Sequence, residues 1–553
     1  MFAALWTLPI LAALYVVWKQ TVAFPFWDEW YTPGAQLASW YRGTLTVAEL
    51  CSQHNESRKL VPRLIYLPLF TIAGWDVRLI LPLVLGVVGL VSVGLYQLAR
   101  RTIRPVIASS LAFTAMNFLL FSPREYQNFT NGIQWELYFP SLALLLALLA
   151  NLSGRSLAWK TICNALLALV STYTFANGML LWLLAFPIAT DTGRSSRSKI
   201  VWRVGYVAAA TVSIALYFVS YRHPPFSPPA ASVITNGPAL LRFFLIWFGS
   251  LFRVANPVLA GSLVVTSFLA LAAIAGWLLA KRGRWQSHYP WLVLGAYSLI
   301  SGAITAVARL GFGFDMAADN RYTAFTVMLY VAVTGLAFTV YEQLRGNAYM
   351  RRGNALLGVG AALVLLSLSA STFNAEWRFL KKSAAYRKHL LMVFRWADAI
   401  PQNPELAWLT PYQDTPQVIH VLAEHDVLRP RPVSKAVAQA IYAVPNAASA
   451  EAGVLEAATP DGNGRFWVKG WAHVPDENRP ADCVVVGWQT TAGWEPRWVV
   501  ELTQPSSNSV SGAAFSWPLI AGVPPSGATL RAWAIDLQRD RVYALAGAIN
   551  LAP

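Results

Sequence analysis

Two acids stand side by side early in the chain, in the run Phe24-Pro25-Phe26-Trp27-Asp28-Glu29-Trp30-Tyr31. A carboxylate is a usual proton acceptor when a weak nucleophile such as an alcohol must be activated. The aromatic flanks put Asp28 and Glu29 at a bilayer surface, where an ionised carboxylate is costly unless it is paired or used. Further on come His54, Glu56, Arg58 and Lys59, then Arg63, which bring together bases and cations able to hold an anion. The plainer reading of such a cluster is a solvated loop with incidental charges. Matching parts recur at Arg124-Glu125, at Glu136, at Arg309 and at Asp319-Asn320-Arg321-Tyr322. Arg321 opens an apolar stretch. It either snorkels to headgroups or grips a phosphate with its planar fork. Asp28, Glu29, His54 and Glu56 also have the ligand types of an oxygen and nitrogen metal site.

The elements that must carry these groups are membrane helices. Only 13% of the 553 residues are charged, against about 25% in a soluble domain. Apolar residues make up 56%, which excludes a disordered chain. Eleven apolar spans are expected, at 2–18, 76–99, 105–122, 137–152, 157–173, 178–190, 200–220, 257–280, 290–308, 322–341 and 354–371. The stretch 157–190 reads either as two helices about an Ala176-Asn177-Gly178 turn or as one kinked span. Residues 239–254 read as a helix lying in the interface. The net charge of +16 reflects basic loops on the cytoplasmic face, not a nucleic-acid surface. Alternate loops hold fifteen basic residues, Arg100 to Arg352, against Asp191 and Glu342. The opposite loops before residue 373 hold nine acids. The N-terminus is therefore expected inside and the C-terminal region outside. Cys51, Cys163 and Cys483 have the spacing of neither a metal site nor a disulfide framework.

Residues 375–400 form an amphipathic basic helix, read as a linker resting on lipid headgroups. From about 452 the pattern alternates, with turns at Asp461-Gly462-Asn463-Gly464 and Pro524-Pro525-Ser526-Gly527, as in a small β-sandwich. Its tryptophans, Trp467, Trp471, Trp488, Trp494, Trp498, Trp517 and Trp533, either fill the core or stack on sugar rings. The expected fold is a polytopic α-helical membrane protein with a C-terminal extracytoplasmic β-sandwich. The expected domains are 1–372 transmembrane, 373–451 helical linker and 452–553 β, with carbohydrate binding as one reading of the last.

An Asp-Glu pair in the first outer loop, many spans and an outer C-terminal domain together resemble the GT-C glycosyltransferases. Asp28-Glu29 is similar in position to that family's acidic first-loop motif. His54-Asn55-Glu56-Ser57-Arg58 resembles its His/Glu/Arg segment, with Ser57 where related sequences often have another His. Asn320-Arg321-Tyr322 resembles an Arg-Tyr motif at a late helix start. The resemblance covers residues 1–370. It implies an enzyme of the bacterial inner membrane that takes a sugar from a polyprenyl-phosphate donor, by inverting displacement, to a glycan, lipid or protein acceptor. Asp28 would be the base and Glu29 its second or its orienter. Arg58 and Arg321, then Arg124 and Arg63, would hold the donor phosphate, supported by His54, Glu56, Glu125 and Tyr322. Some relatives use a divalent ion and others do not. Two rivals share this topology, a flippase or transporter for lipid-linked sugars and an oligosaccharide ligase or polymerase. A non-catalytic envelope scaffold is a third.

Overall fold

A computed structural model describes the chain except residues 1, 190–195, 225–234, 283–284, 345–347, 444–448, 461–464, 478, 492, 503–512, 521–527 and 551–553; the side chains of 345–365 are likewise outside the described residues. Both expected β-domain turns and most of the side chains of the eleventh expected span therefore lie outside them. The chain divides into two compact units that interleave in sequence. The first holds 1–21, 47–65 and 78–381, and the second holds 22–46, 66–77 and 382–553. These limits cut across the linear order 1–372, 373–451, 452–553.

The first unit is helical. Among the described residues seven helices are long and apolar enough to cross a membrane: Val77–Thr102, Val106–Phe129, Gly132–Asn151, Ser196–Phe218, Pro257–Lys281, Trp285–Phe312 and Asn320–Leu344. Shorter apolar helices cover Ala4–Gln20, Leu60–Ala73, Leu157–Thr172 and Gly237–Gly249; residues 66–73 of the second of these belong to the second unit. The expected span at 178–190 is absent. A 3₁₀ turn, Ala176–Leu180, is followed by a single helical turn, Leu181–Leu184. Glycine is required in that turn, because a Cβ at Gly178 would lie 2.1 Å from the Ser171 carbonyl oxygen. A different helix, Leu60–Ala73, occupies what reads in sequence as loop. Pro62 sits in its first turn, where proline is tolerated, and Arg63 is fully buried.

Inside the unit, close approach replaces the hydrophobic drive that lipid removes. A Cβ at Gly335 would meet the Trp291 ring at 2.1 Å, and that ring's Nε1 donates to Thr102 Oγ1 at 3.1 Å. Ser92 Oγ meets Asn117 Oδ1 at 2.6 Å, and Asn117 Nδ2 donates to the Trp6 carbonyl at 2.7 Å. Lys160, expected among the cytoplasmic loop charges, is instead fully buried and donates to the Asn151 and Ile188 carbonyls at 3.0 and 3.2 Å.

The second unit carries the β domain in two layers. Strands Ser449–Pro460, Arg465–Val474 and Ala513–Ile520 pair antiparallel. So do Arg541–Ala546, Thr529–Asp536, Cys483–Thr490 and Gly493–Val500. A parallel pairing of Arg541–Ala546 with Ser449–Pro460 joins the layers. Strand periodicity sends Val484 and Val486 into a core with Leu455, Val468, Phe515 and Leu530. It sends Cys483 and Val485 to the opposite face, where Trp396, Ile400, Val437 and Ile441 cover them. The run Cys483-Val484-Val485-Val486 is apolar throughout because helices bury its second face. The end of the expected linker helix is one of those covers. Trp488, Trp498 and Trp533 are buried in these cores, whereas Trp467 is exposed.

Candidate functional site

The chemistry-bearing residues fall in both units. In the second, a 3₁₀ turn Trp27–Trp30 carries the acidic pair. Phe26 is extended, and Glu29 Oε2 accepts its amide at 2.8 Å. Glu29 is 4% exposed, so it closes the turn from below. Trp27 has φ +57, a left-handed conformation that an aromatic residue adopts only when its surroundings impose it. This strain immediately precedes Asp28, which is half-buried. Asp28 Oδ1 accepts the Tyr412 hydroxyl at 2.9 Å, and the Tyr31 and Tyr412 rings lie 5.1 Å apart. Trp30 is buried edge-on against Trp75, at 5.1 Å and 69°. A Cβ at Gly34 would press on that Trp75 ring at 2.9 Å. The turn thus rests on packed aromatics, with its half-buried acid held by the Tyr412 hydroxyl. Beside it Tyr412 lines a cleft of about 200 Å³ with Thr410, Gln413, Thr415 and Ile419.

Arg387 stands near the same turn. Its guanidinium carbon is 5.4 Å from the Phe26 ring and 5.8 Å from the Phe24 ring. Burial lowers its pKa from the ordinary arginine value, and the Glu29 carboxylate opposes that shift. The basic helix was read as lipid-facing, and nothing in its sequence separates Arg387 from Lys381, Lys382 or Lys388. Tyr412 gave no signal either, because its role depends on a contact made across 384 positions of chain.

In the first unit the second half of the acidic loop is a hairpin, Gln53–His54 paired with Ser57–Arg58, with Asn55 at φ +51. Arg58 donates to the Cys51 carbonyl at 2.7 Å, to Tyr217 at 2.5 Å and to Val219. The last two are carbonyls at the C-terminal end of helix Ser196–Phe218, where a cation complements the helix dipole. Glu56 forms a fork-to-fork pair with Arg309 at 2.6 and 2.7 Å, and Arg309 Nε donates to the Tyr322 hydroxyl at 3.1 Å. One nitrogen of Arg63 donates to three carbonyls, Glu49, Leu50 and Ser52, at 3.2, 3.0 and 2.6 Å. Lys59 pairs with Glu136 at 2.8 Å. His54 is buried, and burial, with Lys59 and Arg63 adding, holds its imidazole well below the usual 6.5.

The remaining arginines are also engaged. Arg124 donates to Glu376 at 2.7 Å, to the Ser250 carbonyl at 3.0 Å and to the Ala318 carbonyl. Arg253 joins Glu376 at 2.6 Å. Glu125 is buried and accepts from Tyr138 at 2.5 Å and Asn128 at 2.9 Å. Arg321 is held to Asp319 at 2.9 and 3.0 Å, with its side chain 39% exposed. The first-loop cluster thus separates. Glu56, Arg58 and Arg63 fasten loops, Glu29 closes a turn, and Asp28 stands on a strained one. Among the described residues no three His, Cys, Asp or Glu side chains gather as metal ligands would. Family models, curated proteins and solved structures were compared with the chain, and none matches.

Proposed function

We propose that this membrane-embedded chain is a glycosyltransferase of the GT-C kind. It moves a sugar from a polyprenyl-phosphate donor to a glycan, lipid or protein acceptor at the outer face of a bacterial inner membrane. The observation that carries the reading is Asp28, a half-buried carboxylate on a left-handed turn, oriented by a tyrosine hydroxyl. Strain of this kind concentrates at working sites. Asp28 takes the proton of the acceptor hydroxyl, and that oxygen bonds to the anomeric carbon. The bond from that carbon to the phosphate oxygen breaks with its electron pair, and the lipid phosphate leaves with inversion. An arginine near the leaving oxygen stabilises its growing charge. Arg58, Arg63 and Arg124 are assigned to holding loops. The charge bias of the loops supports an inside N-terminus and an outside β domain.

The experiment is mass spectrometry of envelope glycans from cells with the protein, without it and with Asp28→Asn. A sugar increment lost in the second and third supports the reading. The full increment in the Asp28→Asn cells removes Asp28 as the base.

A further inference from the structure

The seven tryptophans of the β domain divide. Trp488, Trp498 and Trp533 are buried, and Trp494 and Trp517 pack against the two cores. Trp467 and Trp471 belong to neither core. Both lie on strand Arg465–Val474, where successive side chains point to opposite faces. Val468 and Ala472 enter the core. Trp467, Lys469, Trp471 and His473 therefore share the outer face. Trp467 is 39% exposed, Lys469 is exposed, and Trp471 and His473 are half-buried. The two indoles are four positions apart, about 13 Å along the strand. On the adjoining strands Ala457 and Ser516 flank Lys469, and Ala514 lies beside Trp471. The indoles thus stand over a floor of small side chains. The His473 ring lies 5.6 Å from that of Trp471 at 18°, which extends the flat surface.

Polar groups are set between these rings. Glu456 is exposed at the bulge opposite Gly470 and Lys469. Among the described residues neither Lys469 nor Glu456 makes a side-chain hydrogen bond or an ion pair. Lipid, or an apolar protein face, would desolvate both charges without matching them. A free cation beside a free anion also gives no preference for a strongly charged partner. A neutral polyol fits both features. The C–H faces of its rings lie on the indoles, and its hydroxyls accept from the ammonium and donate to the carboxylate.

We propose that this outer sheet face binds a neutral oligosaccharide, with Trp467 and Trp471 as stacking rings and Lys469 and Glu456 as its hydrogen-bonding partners. The inference goes beyond the glycosyltransferase reading and does not need it, since no residue of the Asp28 turn enters it.

The test uses the full chain in phosphatidylcholine nanodiscs. The probe is the neutral oligosaccharide fraction released from the surface of the cells that make the protein. Hydroxyl-radical oxidation is read at Trp467 by peptide mass spectrometry, with Trp40, 55% exposed and on a helix, as the internal reference. The oligosaccharides should protect Trp467 at least about threefold relative to Trp40. No protection, or equal protection of Trp40, overturns the proposal. Trp467 protected in sugar-free discs but oxidised in detergent gives the face to lipid and also overturns it. Affinity by calorimetry should weaken at least about threefold in Trp467→Ala, with a partial recovery in Trp467→Phe and an unchanged unfolding midpoint. Wild-type affinity in Trp467→Ala overturns the proposal. Asp28→Asn should bind the fraction like wild type, and binding lost there would move the sugar to the acidic turn and overturn it. Full transfer in Asp28→Asn with Trp467-dependent binding sinks the base assignment alone. Lost transfer with Trp467-independent binding sinks this inference alone.

Discussion

The Asp28 turn and the Glu56-Arg58 hairpin both carry carboxylates early in the chain, and the structure uses them in opposite ways. In the hairpin both oxygens of Glu56 meet the Arg309 fork, and three nitrogens of Arg58 meet three carbonyls. In the turn Glu29 is buried and bonded, while Asp28 stays half-buried on a backbone conformation that costs energy to hold. Charge density in a loop therefore does not identify chemistry. The distinguishing features are a left-handed backbone on an aromatic residue, where the hairpin places Asn55 in that region, and a carboxylate held by a hydroxyl, where the hairpin's carboxylate is neutralised by a cation.

The comparison is best broken where ion pairs are structural. Glu376 is buried between Arg124 and Arg253. Glu376→Ala leaves the buried Arg124 without its carboxylate and should destabilise the first unit by about 3–5 kcal/mol. Unfolding in detergent measures this. A loss under about 1 kcal/mol would mean that solvent or a neighbouring group takes the place of Glu376. Asp28→Asn should do the reverse, with unchanged unfolding and sugar transfer reduced at least about a hundredfold, the lower range for a lost general base.

Why the sequence revealed one of these and not the other is a matter of range. Low charge and apolar runs are summed over twenty residues, so the membrane class and most of the long helices were legible. Helix Leu60–Ala73 was hidden by Pro62 and Arg63, which read as loop residues until burial and three carbonyl bonds are seen. The second face of the sheet was hidden because the residues that cover it, such as Trp396 and Val437, lie tens of positions away. Asp28 was legible as an acid among aromatics. Its division of labour with Glu29 depends on a φ angle and on Tyr412, which no local pattern encodes.

Tyr412→Phe sharpens the comparison at lower cost. It removes one hydrogen bond from Asp28 and keeps the ring against Tyr31. Transfer should fall about tenfold through lost orientation, with stability nearly unchanged. Unaltered transfer rates would leave the Tyr412 contact without a part in catalysis.

His54 separates the regions by pH. Its folded pKa lies well below 6.5, so in acid the unfolded chain binds a proton that the native hairpin refuses. Its share of stability is complete above pH 6.5 and is lost as pH falls, by at most about 1.4 kcal/mol per pH unit. Unfolding midpoints from pH 7.5 to 5 should show this slope, and His54→Gln should reduce it. An identical slope in that variant would assign the acid sensitivity to other groups.

The smallest effect expected is at Trp27, the left-handed residue of the Asp28 turn. Glycine adopts φ +57 without the Cβ clash. Trp27→Gly therefore relieves strain and removes a partly exposed ring, 41% exposed. These terms oppose each other, because the Trp27 ring also sits 6.0 Å from Phe26 and glycine adds freedom to the unfolded chain. The net change in stability should stay within about 1 kcal/mol. Transfer should still fall by a few-fold, since a glycine holds Asp28 less firmly than a residue wedged into one conformation. The decisive measurement is both quantities on one preparation. Stability lost with transfer intact would make Trp27 a packing residue and would leave the strained turn without a part in the chemistry.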